Sequence, residues 1–378
     1  MTFSVYQHPL TGGYGCAPYL SYNCYVVTDS MKQPLLGLDS KELSQLAHSV
    51  GSPDYRGRQL AEWIYRRQAR AFDDMDNLPG ELRTRLTANY EVGRSQVIAV
   101  QRSSDGTTKL LLEMGDGSRV ETVGLPYADR FSCCVSTQVG CAIGCLFCAT
   151  GRSGYSRNLA AGEIVAQVLE VQTAVEPGSV EKRVDHVTFM GMGEPLMNYD
   201  ATVKAIRLLN KELGIASRNL TVSTAGYIPG IIRLASEKLQ ITLAVSLHAP
   251  DNVLRDRLVS GMSKWPIAEL LEACRQYIAD TGRRVTFEYC LLEGLNDSET
   301  QARQLAGLLR GMNCHVNLIP FNNISDLNLR ASSPSRVTSF RKILLASGIQ
   351  VTQRLERGSD IDAACGQLRR HQGSGQQG

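Results

Sequence analysis

From about residue 131 the chain alternates short apolar blocks with longer stretches of helical period. The blocks near 133–138, 186–190, 220–223, 242–246, 285–291, 316–320 and 350–354 read as strands. Between them, 162–174, 201–213, 228–236, 267–281, 299–309 and 335–346 read as helices. Six or seven β/α units in series predict an α/β fold: a parallel sheet curved into a partial, TIM-like barrel over 131–368. In such a barrel, reactive groups belong in the loops after the strand C-termini.

Upstream the pattern differs. Asp39-Ser40-Lys41-Glu42 reads as a capping box, and Leu43, Leu46, Ala47 and Val50 follow as a helical apolar stripe. A second helix is expected over 56–71, with Leu60, Trp63 and Ile64 inward and Arg56, Arg58, Arg66, Arg67 and Arg70 on the other side. A third covers 79–90. These make a small helical accessory domain, 34–95. Strands at 97–101, 109–114 and 119–124, turned by Asp105-Gly106 and Gly115-Asp116-Gly117, make a β-hairpin connector over 96–130. Residues 1–33 show no sustained period, and the tail 369–378 is rich in Gly and Gln; disorder is expected in both.

Composition narrows the class. The 378 residues are 43% hydrophobic and 20% charged, with a net charge of +3. No apolar run approaches the ~18 residues that a membrane span needs, and no secretory signal stands at the N-terminus. With so small a net charge, any nucleic-acid footprint must be local. The arginines of the second helix, with Tyr55 and Tyr65, suit phosphate contact and base stacking; a solvated helix face is the plainer alternative.

Eleven cysteines are unevenly spaced, unlike a disulfide framework. Three of them, Cys141, Cys145 and Cys148, form a C-x3-C-x2-C run. Structural zinc wants four ligands, and the next histidine is His186. Three thiolates instead suit an iron–sulfur cube with one open iron, able to bind a small molecule and pass it an electron. Further polar residues end the strands: Gly191-Met192-Gly193-Glu194-Pro195, Ser223, Ser246-Leu247-His248 and Asn322. Each alone is explained by a local turn bond; together they can line one cofactor site. Cys365 lies in a loop of small residues and is either buried filler or a nucleophile, with filler mildly preferred. Cys134 and Cys133 raise the same question, and strand alternation turns them to opposite faces.

Taken together, Cys134-Val-Ser-Thr-Gln-Val-Gly-Cys141, the cysteine triad, Gly191 to Pro195, Ser246 to His248 and Asp360-Ile-Asp-Ala-Ala-Cys365-Gly-Gln-Leu resemble the RlmN/Cfr family of radical S-adenosylmethionine (SAM) RNA methyltransferases. The resemblance runs in order from about residue 34 to 368; the stretch 1–33 departs from it, and Cys133 has no counterpart role. It implies one four-iron, four-sulfur cluster on Cys141, Cys145 and Cys148. It implies SAM, two per turnover, held by Gly193, Glu194, Ser223, Ser246, Leu247, His248 and Asn322.

The implied reaction is methylation at C2 of an adenosine in the peptidyl-transferase centre of 23S rRNA and of the adenosine 3′ to the anticodon in tRNA. That carbon is electron-poor, so simple transfer from SAM fails and a carbon radical is needed. Cys365 would carry the methyl group, Glu121 would take the proton from the attacked carbon, and Cys134 would release product through a transient disulfide. Without the resemblance, Glu121 reads as an exposed strand residue. Also implied are a flavodoxin- or ferredoxin-type electron donor, no membrane, a monomer and a cytoplasmic location. A sister activity at C8 of adenine uses the same cysteines, and the housekeeping-like pattern favours C2. A non-enzymatic iron–sulfur sensor would need no SAM rim.

Overall fold

The structure is a computed structural model that describes residues 32–174, 183–322, 324 and 327–369. The segments expected to be disordered fall almost wholly outside these residues. Residues 33 onward form one compact unit. At its centre is a ten-stranded sheet. Its strands, in chain order, are β1 (Gln96–Arg102), β2 (Thr108–Glu113), β3 (Arg119–Pro126), β4 (Phe131–Cys134), β5 (His186–Phe189), β6 (Leu220–Thr224), β7 (Thr242–Ser246), β8 (Val285–Leu291), β9 (Cys314–Pro320) and β10 (Gln350–Gln353).

Spatial order follows chain order from β1 to β10. The pairs from β4 to β10 are parallel, and those from β1 to β4 antiparallel. Each parallel step is made by a crossover that carries helix, and the covered strands are correspondingly apolar. β4 is buried along its whole length. The edges β1 and β10 do not pair, so the barrel is partial, as expected. The segment 96–126, however, is more than a connector: its three strands extend the barrel sheet itself.

The open side is bridged by the chain after β10. There Gly358 N donates to Asp105 Oδ2 (3.1 Å), Ser104 N to Asp360 Oδ2 (3.2 Å) and Arg357 Nη1 to the Pro126 carbonyl (2.7 Å). Thus the C-terminal loop is tied to the β1–β2 turn and to the end of β3.

The accessory helices are Ser40–Ser49, Tyr55–Ala61 and Gly80–Asn89. The capping box is present: Asp39 accepts from Lys41 N and Glu42 N, and Glu42 returns a bond to Asp39 N (2.8 Å). The single helix expected over 56–71 is not. Regular α-helix stops at Ala61, the turn widens so that Arg67 N reaches the Glu62 carbonyl (3.0 Å), and Gln68 takes a left-handed φ of 58°. Tertiary contacts impose this break. Arg94 Nε reaches Glu170 at 2.7 Å and its Nη1 reaches the Gln68 carbonyl at 2.9 Å, while Arg70 also pairs with Glu170.

Glu170 is fully buried, with two cations from outside its own helix, Ala161–Ala174. Removing one partner of a buried ion pair leaves the other uncompensated. Glu170→Gln is therefore expected to destabilise the fold by about 3–5 kcal/mol. Chemical denaturation reads this, and a loss below about 1 kcal/mol would place Glu170 with solvent-screened pairs.

Candidate active site

The three thiols of the triad follow β4 by way of a short ribbon strand, Gln138–Gly140. The loop is shaped by backbone constraints. Gly144 sets its turn with φ 68°, and a Cβ on Gly151 would come within 2.9 Å of Cys145 N. Leu146 N donates to the Leu258 carbonyl (2.9 Å) and Gly261 N to the Ile143 carbonyl (2.8 Å), so residues 258–261 pin the loop from one side. Burial pushes the Cys141 thiol up to about 12, and Cys145 and Cys148 are raised too, Cys145 also by its two neighbouring thiols. Among the described residues, no three His, Cys, Asp or Glu side chains converge on a single metal-ion position. A cube spreads its ligands over separate irons, and three mutually interacting thiols on one loop suit it with one iron left open.

Of the strand-end residues, Gly193, Glu194 and His248 lie against this loop. Gly193 has φ 103°, and a Cβ there would lie 2.6 Å from the Gln138 Cβ; only glycine passes. Glu194 is buried. Its oxygens accept from Leu196 N (3.1 Å) and Ala225 N (2.6 Å), and its own N–H donates to Gln138 Oε1 (2.8 Å). Burial pushes its carboxyl up to about 7, against those backbone donors. Each oxygen keeps lone-pair capacity for an ammonium group.

His248 has the left-handed φ of 57°, uncommon for a non-glycine residue. Its Nδ1 accepts from Cys290 N (3.0 Å), and the Phe147 ring of the cysteine loop meets it edge-on at 4.7 Å. Burial, with Arg255 nearby, pushes the imidazole down to about 3, so it is neutral at ordinary pH. Leu247 is buried, its N–H donating to the Glu288 carbonyl (3.1 Å). Ser223 and Ser246 are half-buried near the ends of β6 and β7. The Asn322 amide donates to the Cys365 carbonyl (3.0 Å), which links the rim to the C-terminal loop.

The two distant cysteines meet in space. Cys134 and Cys365 line one cleft, with Tyr127, Met190, Pro320 and Arg354. The C-terminal loop also packs on the cysteine loop: Ala149 N donates to the Gly366 carbonyl (2.7 Å), and Thr150 Oγ1 to the Leu368 carbonyl. Cys133 turns away into the core beside Thr122 (3.7 Å), so alternation along β4 sends only Cys134 to the cleft.

Glu121 corrects the plain reading. It is 3% exposed, not a surface residue. Lys109 Nζ lies 3.0 Å from Oε1, and Arg369 N donates to Oε2 at 2.8 Å. Lys109 and Arg354 are the residues that sequence reasoning missed. For Arg354 the available signal was its place just past the end of the last strand.

The structure also corrects the proposed RNA face. Tyr65 is 1% exposed; its hydroxyl donates to the Leu38 carbonyl (2.7 Å), so it is no stacking platform. Arg66 donates to the Leu213 carbonyl and Arg70 pairs with Glu170, so both dock the accessory helices on the barrel. Arg58 and Arg67 remain exposed, Arg67 over the Trp63 ring at 4.5 Å, and Arg56 lies over Tyr55 at 4.8 Å.

A three-cysteine loop after the first parallel strand of a partial barrel defines a radical SAM protein, and the Radical SAM superfamily model matches residues 135–306. The "Ribosomal RNA large subunit methyltransferase N-terminal domain" model matches residues 33–92. The probable dual-specificity RNA methyltransferase RlmN of Gloeobacter violaceus is 49% identical, over 92% of this chain and 98% of its own length. That of Thermosynechococcus vestitus is 46% identical, over 89% and 98%. The crystal structure of a radical SAM methyltransferase from Sphaerobacter thermophilus aligns with a TM-score of 0.86 at 46% identity, over 89% of this chain and 99% of that one. The chain belongs to the RlmN family of dual-specificity radical SAM RNA methyltransferases. Membership brings a four-iron, four-sulfur cluster and SAM as its cofactors. No helix among the described residues is long and apolar enough to cross a membrane.

Proposed function

We propose that this methyltransferase acts on C2 of adenosine, in the peptidyl-transferase centre of 23S rRNA and 3′ to the anticodon in tRNA, through a methyl-cysteine at Cys365 and a transient disulfide with Cys134. The observation that carries the reading is the cleft where these two thiols, far apart in sequence, stand together beside the cysteine loop. Cys141, Cys145 and Cys148 hold the cluster. Gly193, Glu194, Ser223, Ser246, Leu247, His248 and Asn322 form the SAM rim, with Glu194 facing the ammonium group. When bound, cluster and SAM supply the radical that takes hydrogen from the S-methyl group on Cys365.

The protein's own residues do the rest. The cleft holds the adenine against Cys365. Glu121 takes the C2 proton, its carboxylate held in place by Lys109 and Arg369 N. Once the adduct has also given up its unpaired electron, which the oxidised cluster would accept, the Cys134 thiolate attacks the Cys365 sulfur: an S–S bond forms, the S–CH2 bond breaks, and its electron pair passes to the ring-bound carbon, which takes a proton to become methyl. The reading includes a flavodoxin- or ferredoxin-type electron donor, a monomer and a cytoplasmic setting.

Nucleoside mass spectrometry of RNA from a deletion strain tests it. Loss of 2-methyladenosine from both RNAs is expected, whereas loss of 8-methyladenosine would assign the sister activity. The accessory domain is proposed as the RNA-binding part, through Arg58 and Arg67. Replacing both with Gln is expected to lower the slope of RNA affinity against salt by about two, one per lost phosphate contact. Arg66→Gln with Arg70→Gln should leave that slope and lower stability instead. An unchanged slope in the first pair would return Arg58 and Arg67 to a solvated face.

A further inference from the structure

The guanidinium of Arg354 lines the thiol cleft with no carboxylate inside ion-pair distance among the described residues. Among the described residues it makes no ion pair within 4.0 Å; its recorded side-chain contact is Nη1 to the Met190 sulfur at 3.4 Å. Its backbone N–H donates to the Leu318 carbonyl (2.9 Å), which fixes where the side chain starts. A half-buried cation with no standing partner is costly unless an anion appears beside it. The groups around it are Cys365, Glu288, Cys134 and Tyr127. The established activity leaves this cation without a task.

We propose that Arg354 is a positioning residue that favours the thiolate form of Cys134 as it attacks the Cys365 sulfur. The inference rests on the cysteine roles given above but is read out separately from them. The groups facing Cys134 come from every side: Arg354 from beyond β10, Cys365 from the C-terminal loop, the Thr188 hydroxyl and Met190 backbone around the end of β5, and Cys133 on its own strand. Tyr127 lines the same cleft, and Glu121 on β3 is tied to Lys109. Arg354 is thus the one cation in this set that lacks a carboxylate within ion-pair reach. Burial first, and Cys365 second, push the Cys134 thiol up to about 11, while Arg354 opposes them. Without that opposition, the resolving thiol would be less ionised at neutral pH and product release would slow.

The test is alkylation by iodoacetamide in the full-length, cluster-loaded protein under anaerobic conditions. Peptide mass spectrometry follows each cysteine across a pH series in the wild type, Arg354→Met and Arg354→Lys. In Arg354→Met the midpoint for Cys134 is expected to rise by about one pH unit, a roughly tenfold slower reaction below it. Arg354→Lys should restore most of the rate, which a packing role would not allow. Cys133, buried on the other face, reports folding by staying unlabelled. Superimposable profiles would overturn the proposal. So would an unchanged Cys134 profile with weakened RNA binding, which would make Arg354 a phosphate contact. A shifted profile in an enzyme that never forms an RNA adduct would keep the role of Arg354 and reject the two-cysteine reaction.

Discussion

Cys134→Ala enzyme is expected to stop with RNA covalently attached, whereas Cys365→Ala enzyme should form no adduct at all. Both thiols line one cleft, yet their positions differ. Cys365 sits in the loop that packs on the cysteine triad, through Ala149 N and the Gly366 carbonyl. That sets its loop against the triad, where the proposed reaction needs the methyl it would carry. Cys134 is on β4, across the cleft, and is 6% exposed. In the proposed reaction it attacks that sulfur after the carbon–carbon bond has formed. Losing Cys134 removes the nucleophile that breaks the thioether, so methylated product should fall by at least about 10³-fold while adduct accumulates. Denaturing gels with radiolabelled RNA separate the two variants. Free methylated RNA at the wild-type rate from the Cys134 variant would remove its role; any methylation by the Cys365 variant would sink the two-cysteine reading.

Replacing Cys141, Cys145 or Cys148 singly by Ala should reduce bound iron from about four per chain to near none, with total loss of SAM cleavage. Three ligands leave no redundancy, because losing one leaves a cube tethered by two thiolates. Their burial strengthens the expectation. Thiols raised as these are stay protonated without metal, so the cluster's charge is what holds them as thiolates. Iron analysis and the visible absorbance of anaerobically reconstituted protein check it. Stoichiometric zinc with no iron uptake would refute the cluster assignment.

Period and punctuation carried most of the architecture. The strands from β5 to β9 fall where apolar residues recur, because alternate side chains of each strand are buried in the core. The capping box at Asp39 is local and therefore readable. The helix expected over 56–71 was not, since its break is made by Arg94 and Glu170, distant in sequence. For the same reason the connector strands read as a separate hairpin. Nothing in a local window says that β3 will pair with β4 and continue the barrel.

The sequence by itself determined the chemistry on offer: three clustered cysteines, glycines where backbone must pass closely, and polar residues at strand ends. It also determined the alternation that separates Cys133 from Cys134. Only the tertiary structure decided which of the two faces the cleft, that Cys365 joins it, that Lys109 pairs with Glu121 and that Arg354 lines the same cleft. The same holds for the arginines. Period put Arg66 and Arg70 on a polar helix face, but whether such a face meets water, RNA or another part of the protein depends on what packs there. Spacing encodes what a short segment does to itself, whereas charge pairing across the barrel depends on contacts that exist only once the chain has closed.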